Sequence, residues 1–161
     1  MTFRARAARP LLTMMLALAA GGALAHGDDK DEAAIGKPGD PAKVDRTIEV
    51  TMDDTMRFHP DDISVRPGET VRFLVRNEGN LRHEMMFGSM HELEEHAAMM
   101  RKMPNMKHNE PNVVSLAPGQ HGRIVWTFPA AGTVPFACMQ VGHMEAGMKG
   151  RITVTKLEPS R

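Results

Sequence analysis

The chain has 161 residues, in which 20 lysines and arginines are balanced by 20 aspartates and glutamates, and it has one cysteine. Nucleic acids and anionic membranes bind basic surfaces, so this charge balance argues against both as partners. A single cysteine excludes a disulfide-stabilised scaffold. The thiol is therefore either a small buried hydrophobic group or a metal ligand.

The first 25 residues are predicted to be a secretory signal peptide. Three arginines lie within 4–9, residues 11–20 are apolar, and 23–25 form an A-x-A-type cleavage site. Cleavage after Ala25 would leave 17 basic and 20 acidic residues in a chain of one-domain size. No later segment has about 18 consecutive apolar residues, so no membrane span is expected after cleavage. The sequence thus predicts an exported, periplasmic protein.

The remaining chain divides at residue 44. Residues 26–43 contain few large apolar groups and no methionine, and they are predicted to be a flexible polar leader. Short alternating runs separated by turn residues follow, at 47–52, 63–66, 71–76, 121–128, 133–138 and 150–155. This pattern predicts an all-β fold, an antiparallel sandwich or barrel, over 44–161.

Residues 89–104 interrupt the alternation and are predicted to be a Met/His-rich helical insertion. Ser89 suits the N-cap position with Glu92 three residues later, which is a capping box, and Pro104 bounds the segment. Four apolar side chains then fall on one face of the helix: Met90, Leu93, Ala97 and Met100. We expect a helix of about three turns packed against the sandwich.

The single cysteine is predicted to lie at the end of a strand and to point into the core. Val134, Phe136 and Cys138 alternate onto one strand face, and the first two are bulky and apolar. Glycines at 142, 147 and 150 let the following loop fold back on itself. Such a loop can present Cys138, His143 and Met148 to one point.

Thiolate, imidazole and thioether together select copper, and the common type 1 arrangement adds a second imidazole. His83 is the best choice for it, because it follows a predicted strand and a turn and so lies near a strand end. Met139 and Met144 are competing thioethers. Met148 is preferred, because its spacing lets the loop close around the metal whereas Met144 directly follows a ligand and should point away.

The segments NEGNLRHEMMFG and PFACMQVGHMEAGMKGRITV resemble the cupredoxins, the plastocyanin and azurin class of single-domain copper proteins. The resemblance extends over about 44–155. It implies a Greek-key β-sandwich and one type 1 copper that alternates between Cu(II) and Cu(I). The implied ligands are His83, Cys138, His143 and axial Met148. The Cys-x4-His-x4-Met spacing is longer than the Cys-x2-His-x4-Met of plastocyanins and differs from the Cys-x4-His-x3-Met of azurins.

A second group of soft donors lies in and after the helical insertion. Thioethers with imidazoles suit Cu(I), but methionine at helical spacing usually fills gaps in a core. His26 would become N-terminal after cleavage and offer an amine and an imidazole to Cu(II), unless it is a chance histidine in a disordered tail. The secondary copper contacts considered are His26, His91, His96, Met99, Met100, Met103, Met106 and His108.

Two functions compete on these observations. The sequence resembles exported copper-tolerance cupredoxins, which also carry Met/His-rich segments, and we favour copper binding and handling. The alternative is an electron carrier that exchanges electrons at the edge of His143. The expected partners are copper ions, with a periplasmic redox protein or a copper exporter or oxidase. An enzyme is not expected, because copper nitrite reductases and oxidases join several such domains and need further histidines.

Overall fold

The computed structural model describes residues 35–104, 106, 108–129 and 131–155. The predicted signal peptide, its cleavage site, His26 and residues up to 34 lie outside the described residues. The strands are β1 (Lys37–Pro38), β2 (Arg46–Asp53), β3 (Arg57–His59), β4 (Asp62–Val65), β5 (Thr70–Asn77), β6 (His83–Phe87), β7 (Val113–Leu116), β8 (His121–Thr127), β9 (Gly132–Ala137) and β10 (Lys149–Val154), and helix α1 is Met90–Lys102.

The strands form two five-stranded sheets that pack face to face. Their orders are β1-β8-β5-β2-β3 and β4-β10-β9-β6-β7. Strands β2 and β5 run parallel, as do β4 and β10, and the other pairs are antiparallel. The all-β sandwich predicted from the alternating runs is confirmed, and all six predicted runs coincide with strands to within one or two residues at each end. The prediction of antiparallel pairing is wrong for β2 with β5 and for β4 with β10, because the connections between these strands cross from one sheet to the other.

The space between the sheets is filled by the inward residues of each strand. Val71, Phe73 and Val75 alternate along β5 and are fully buried. The Phe73 ring meets the Phe87 ring of the opposite sheet edge to face, with 5.1 Å between centroids. Burying each such side chain contributes roughly 1.5–3 kcal/mol, and an edge-to-face pair adds about 0.5–1.5 kcal/mol. This apolar core holds the strand ends in place before any metal binds.

The prediction of a flexible leader is wrong for residues 35–43. Strand β1 pairs antiparallel with β8, and Ile35 is buried. The Ile35 carbonyl accepts a hydrogen bond of 2.7 Å from Nε1 of Trp126. The segment has few large apolar groups, which is why it was predicted to be flexible. It is held instead by backbone pairing at a sheet edge and by a buried indole that needs an acceptor.

Helix α1 begins with the predicted capping box. Ser89 Oγ accepts from the Glu92 backbone N–H at 3.2 Å, and a Glu92 carboxylate oxygen accepts from the Ser89 N–H at 2.6 Å. Leu93 and Met100 are buried against the outer face of β9, whereas Met90, in the first turn, is 44% exposed. Among the described residues, no helix has the length and apolar composition that crossing a membrane requires.

Candidate metal centre

The two histidines and the cysteine predicted as ligands come together where β6 begins and β9 ends. The Nδ1 atoms of His83 and His143 are 3.2 Å apart. Cys138 Sγ lies 3.4 Å from Nδ1 of His143 and 4.0 Å from Nδ1 of His83. Within the described part of the chain, this is the one group of three or more His, Cys, Asp or Glu residues whose ligand atoms all lie within 4.8 Å of one another.

The loop from Cys138 to Met148 is closed by its own backbone. The Cys138 N–H donates to the Met148 carbonyl at 3.0 Å, and the Met148 N–H donates to the His143 carbonyl at 3.0 Å. Gly142 and Gly147 have φ of 84° and 98°, in the left-handed region that glycine adopts without strain. The glycine-bent loop predicted from the sequence is therefore present, and it ties all three donor-bearing residues to one another.

A carboxylate that the sequence analysis missed lies behind His83. Asp54, in the turn between β2 and β3, has Oδ1 at 3.1 Å from His83 Nε2. The N–H of Asn80 and the His83 ring lower the pKa of Asp54 to about 2, so the carboxylate is ionised and only accepts. Asp54 can thus accept a hydrogen bond from Nε2–H of His83, the tautomer that leaves the Nδ1 lone pair for a metal. No local sequence pattern marks Asp54, because the contact joins residues 29 apart.

The thiol lies in surroundings that suit a bound cation. Cys138 is fully buried, and its Sγ accepts the Glu84 N–H at 3.3 Å. Burial raises the pKa of Cys138 to about 12, and burial followed by the nearby His83 lowers the pKa of His143. A metal ion would replace the thiol proton and use both imidazole lone pairs. Two imidazoles and one thiolate fit copper, which prefers this soft donor set.

The three methionines considered as the axial donor lie in different surroundings. Met148 is fully buried in the same apolar cluster as Cys138. Met139 and Met144 belong instead to the cluster beneath α1. Met144, the residue after His143, thus faces the helix rather than the sandwich core, as its position in the sequence suggested. The geometry is compatible with Met148 as the axial donor.

The secondary contacts considered on the insertion do not share one site. Met99 and Met103 are exposed, and His91 is exposed beside Glu95, with 3.4 Å between Nε2 and Oε1. Met100 is buried in the apolar cluster under the helix. The two remaining histidines meet, with His96 Nε2 3.4 Å from His108 Nε2, and Met106 is half-buried near them.

A two-sheet sandwich with a buried cysteine and two imidazoles at one end defines a type 1 copper protein. The family model for copper binding proteins of the plastocyanin/azurin family matches residues 44–155, and the chain belongs to this family. Its cofactor is therefore copper in a type 1 centre, as the donor set indicates.

The chain is 50% identical over 130 residues to the copper-resistant cuproprotein CopI of Rubrivivax gelatinosus, with 81% of this chain and 78% of the relative covered. It is 36% identical to the protein of the same name from Pseudomonas aeruginosa, with 83% of this chain and 89% of the relative covered. A third protein of that name, from Vibrio cholerae, is also 36% identical, with 71% and 68% covered.

Solved structures agree with the fold. Auracyanin B superposes with a TM-score of 0.62 at 24% identity, with 74% of this chain and 96% of that chain covered. A reduced auracyanin from Roseiflexus castenholzii gives 0.59 at 23% identity, with 70% and 99% covered. At this level of identity the likeness establishes the cupredoxin sandwich itself.

Proposed function

We propose that this protein is a periplasmic copper-binding protein that acts in copper tolerance. Its type 1 copper is held by His83, Cys138 and His143, with Met148 as the axial ligand. The observation that carries the proposal is the trio of Nδ1, Nδ1 and Sγ atoms, which lie 3.2 to 4.0 Å from one another before any metal is present. The copper, when bound, supplies affinity for the thiolate and a one-electron redox couple.

Each residue near the metal has a separate task in this proposal. Cys138 supplies the thiolate and accepts the Glu84 N–H, which stabilises negative charge on sulfur. His83 is oriented by Asp54 through Nε2, so that Nδ1 faces the metal. His143 closes the site from the loop and is half-exposed. Met148 contributes a thioether from the buried end of the loop.

Copper tolerance is favoured over electron transfer by two observations. The curated relatives carry the name copper-resistant cuproprotein. In addition, the insertion presents Met99 and Met103 to solvent, where soft donors can meet copper ions. An electron carrier instead benefits from a smooth apolar patch around the exposed edge of its histidine ligand. Val141, which is 50% exposed near His143, keeps electron transfer as the second candidate.

We infer export to the periplasm from the basic, apolar and small-residue segments at the N-terminus. The protein binds copper without catalysing a reaction on a substrate. Its protein partners would be a periplasmic redox protein or a copper exporter or oxidase. Contact with such a partner would occur at the half-exposed His143, because this ligand joins the metal to the surface.

Copper tolerance can be tested in a bacterial strain that lacks the gene. Complementation with the wild-type gene should restore growth on copper, and the Cys138→Ser variant should restore little or none. The matched control is His59→Gln, an exposed histidine outside the site. Growth restored equally by wild type and Cys138→Ser would exclude the type 1 centre as the basis of tolerance. If loss of the gene leaves growth on copper unchanged but impairs periplasmic electron transfer, the carrier is favoured.

The metal assignment has its own test in purified protein. Addition of copper should produce an intense thiolate charge-transfer band in visible absorption that saturates at one equivalent. The band should be absent in Cys138→Ser, whereas His59→Gln should match the wild type. A wild-type protein that binds copper without this band would contradict the proposed ligand set.

A further inference from the structure

A second pair of imidazoles lies on the outer side of the β6 sheet. His96, in α1, and His108, in the segment that leads to β7, face each other with 3.4 Å between their Nε2 atoms. Their ring centroids are 4.6 Å apart and their planes make an angle of 53°. The His83 and His143 rings of the type 1 site have 3.2 Å between nitrogens, 4.9 Å between centroids and the same angle of 53°. The two pairs thus share the geometry of two nitrogens directed at one point.

The surroundings of this second pair contain buried polar atoms that lack partners. The His108 side chain is 1% exposed, and its Nδ1 has no hydrogen-bond partner among the described residues. The nearest carboxylate oxygen, of Glu110, is 3.6 Å away, beyond hydrogen-bond distance. Glu84 is also buried, and its Oε2 likewise has no partner there. An unpaired buried polar atom costs about 1–3 kcal/mol, and the Glu84 oxygen, which is an acceptor, would be stabilised by a cation in its cavity.

The charge state of the pair suits a cation. Burial, followed by the nearby His108, lowers the pKa of His96, so the ring is neutral at neutral pH. Glu84 and Glu110 provide negative charge on the same side of the sheet and oppose that shift. Glu110 places a carboxylate oxygen 3.6 Å from Nδ1 of His108, on the side of the ring away from His96, whereas Asp54 is 3.1 Å from Nε2 of His83. Nε2 of His108 is thus the nitrogen that faces His96.

Open space reaches the pair from both sides. Glu84, Met106 and His108 line a cavity of about 580 Å³, and His96, His108 and Glu110 line a neighbouring one of about 390 Å³. His108 lies between them, so an ion can enter without unfolding the helix. Glu84 and Met106 thus place a carboxylate, which suits Cu(II), and a thioether, which suits Cu(I), on the wall of the cavity that His108 also lines.

We propose that His96 and His108 form a second copper site of two imidazoles, beside the cavity that Glu84 and Met106 line. This second site is separate from the type 1 centre. The inference rests on the proposed function only in taking copper as the metal. Glu84 connects the two places, since its N–H contacts Cys138 Sγ while its side chain lines the second cavity. Copper could thus be held on both faces of β6.

The test uses the full-length mature protein, first loaded with one equivalent of Cu(II) until the thiolate band saturates. A second equivalent should bind without increasing that band and should give a second spin-resonance signal with nitrogen hyperfine structure. His96→Gln should weaken this second binding by at least about tenfold. The type 1 band should be unchanged, because His96 does not contact its ligands.

His91→Gln is the matched control, because His91 lies on the exposed side of the same helix. It should leave both bindings unchanged. His96 is half-buried, so its replacement is less disruptive than that of His108, and circular dichroism would confirm folding. The proposal is overturned if the loaded protein takes no second copper, if zinc binds this site and copper does not, or if His96→Gln and wild type bind the second copper equally. A missing thiolate band would instead contradict the proposed function alone.

Discussion

The Asp54 carboxylate lies 3.1 Å from Nε2 of His83, so the turn between β2 and β3 orients an imidazole that begins a strand of the other sheet. The same carboxylate accepts the N–H groups of Asn80 and Leu81. One side chain thereby fixes both the turn that precedes the histidine and the histidine itself. Since Asp54 is ionised, it also places a negative charge close to the metal centre.

Replacing Asp54 should weaken the copper site without removing a ligand. Asp54→Ala should lower copper affinity by about 10–100-fold, and it should raise the reduction potential because a charge that favours Cu(II) is lost. Asp54→Asn, which keeps an acceptor oxygen, should have a smaller effect on affinity. The measurements are competition with a chelator and voltammetry. Glu49→Ala, at an exposed carboxylate on β2, is the control, because Asp53 accepts hydrogen bonds from Thr55 in the same turn as Asp54. Equal affinities in all four proteins would show that Asp54 does not act on the metal.

The axial assignment is tested by two leucine substitutions. Met148→Leu should shift the visible spectrum and raise the reduction potential, because an electron-donating thioether is lost. Met144→Leu should change neither, since Met144 packs under α1. Both changes nearly conserve volume and should cost less than about 1.5 kcal/mol of unfolding free energy. Absorption spectroscopy and voltammetry measure the effect. The assignment fails if Met144→Leu shifts the spectrum and Met148→Leu does not.

Copper binding should release about one proton from Cys138. The pKa of this thiol is raised to about 12, so it is protonated in the metal-free protein at neutral pH. The lowered pKa of His143 leaves that ring already neutral. Copper affinity should therefore rise about tenfold per pH unit between about pH 7 and 9. Calorimetry in two buffers of different ionisation enthalpy counts the protons.

The same thiol makes the folding stability of the metal-free protein fall with pH, whereas copper affinity rises with pH. Because the folded state holds the Cys138 proton more tightly than the unfolded state, folding stability should fall as pH rises above about 9. Cys138→Ser removes the ionisable thiol and should abolish both effects. A wild-type proton count near zero would mean that the thiol does not exchange its proton for copper.

The capping box of α1 should contribute to stability without affecting the type 1 centre. Ser89→Ala removes the acceptor for the Glu92 N–H and should cost about 1 kcal/mol of unfolding free energy. Urea denaturation of the metal-free protein measures this loss. Ser115→Ala, at an exposed and long contact with Arg82, should cost much less. A thiolate band altered by Ser89→Ala would show that the helix supports the copper loop more directly than its packing suggests.

The strands that sequence analysis missed show no readable alternation, for one of two physical reasons. Four of the five residues of β6 are buried, because the core covers one face and the Met/His-rich insertion lies over the other. A strand buried on both sides shows no alternation of polar and apolar residues. Strands β1, β3 and β7 are two to four residues long, too short for a period to appear. The six strands that were predicted are longer or have a clearer alternation.

The chemistry of the metal centre follows from the sequence alone. One thiol, an imidazole five residues later, a thioether ten residues later and glycines between them restrict both the metal and the loop shape, because these constraints are local and covalent. Only the tertiary structure shows that the Asp54 carboxylate lies behind His83 and that His96 contacts His108. Asp54 and His108 reach their partners only through strand pairing and helix packing, whose long-range register no local pattern encodes.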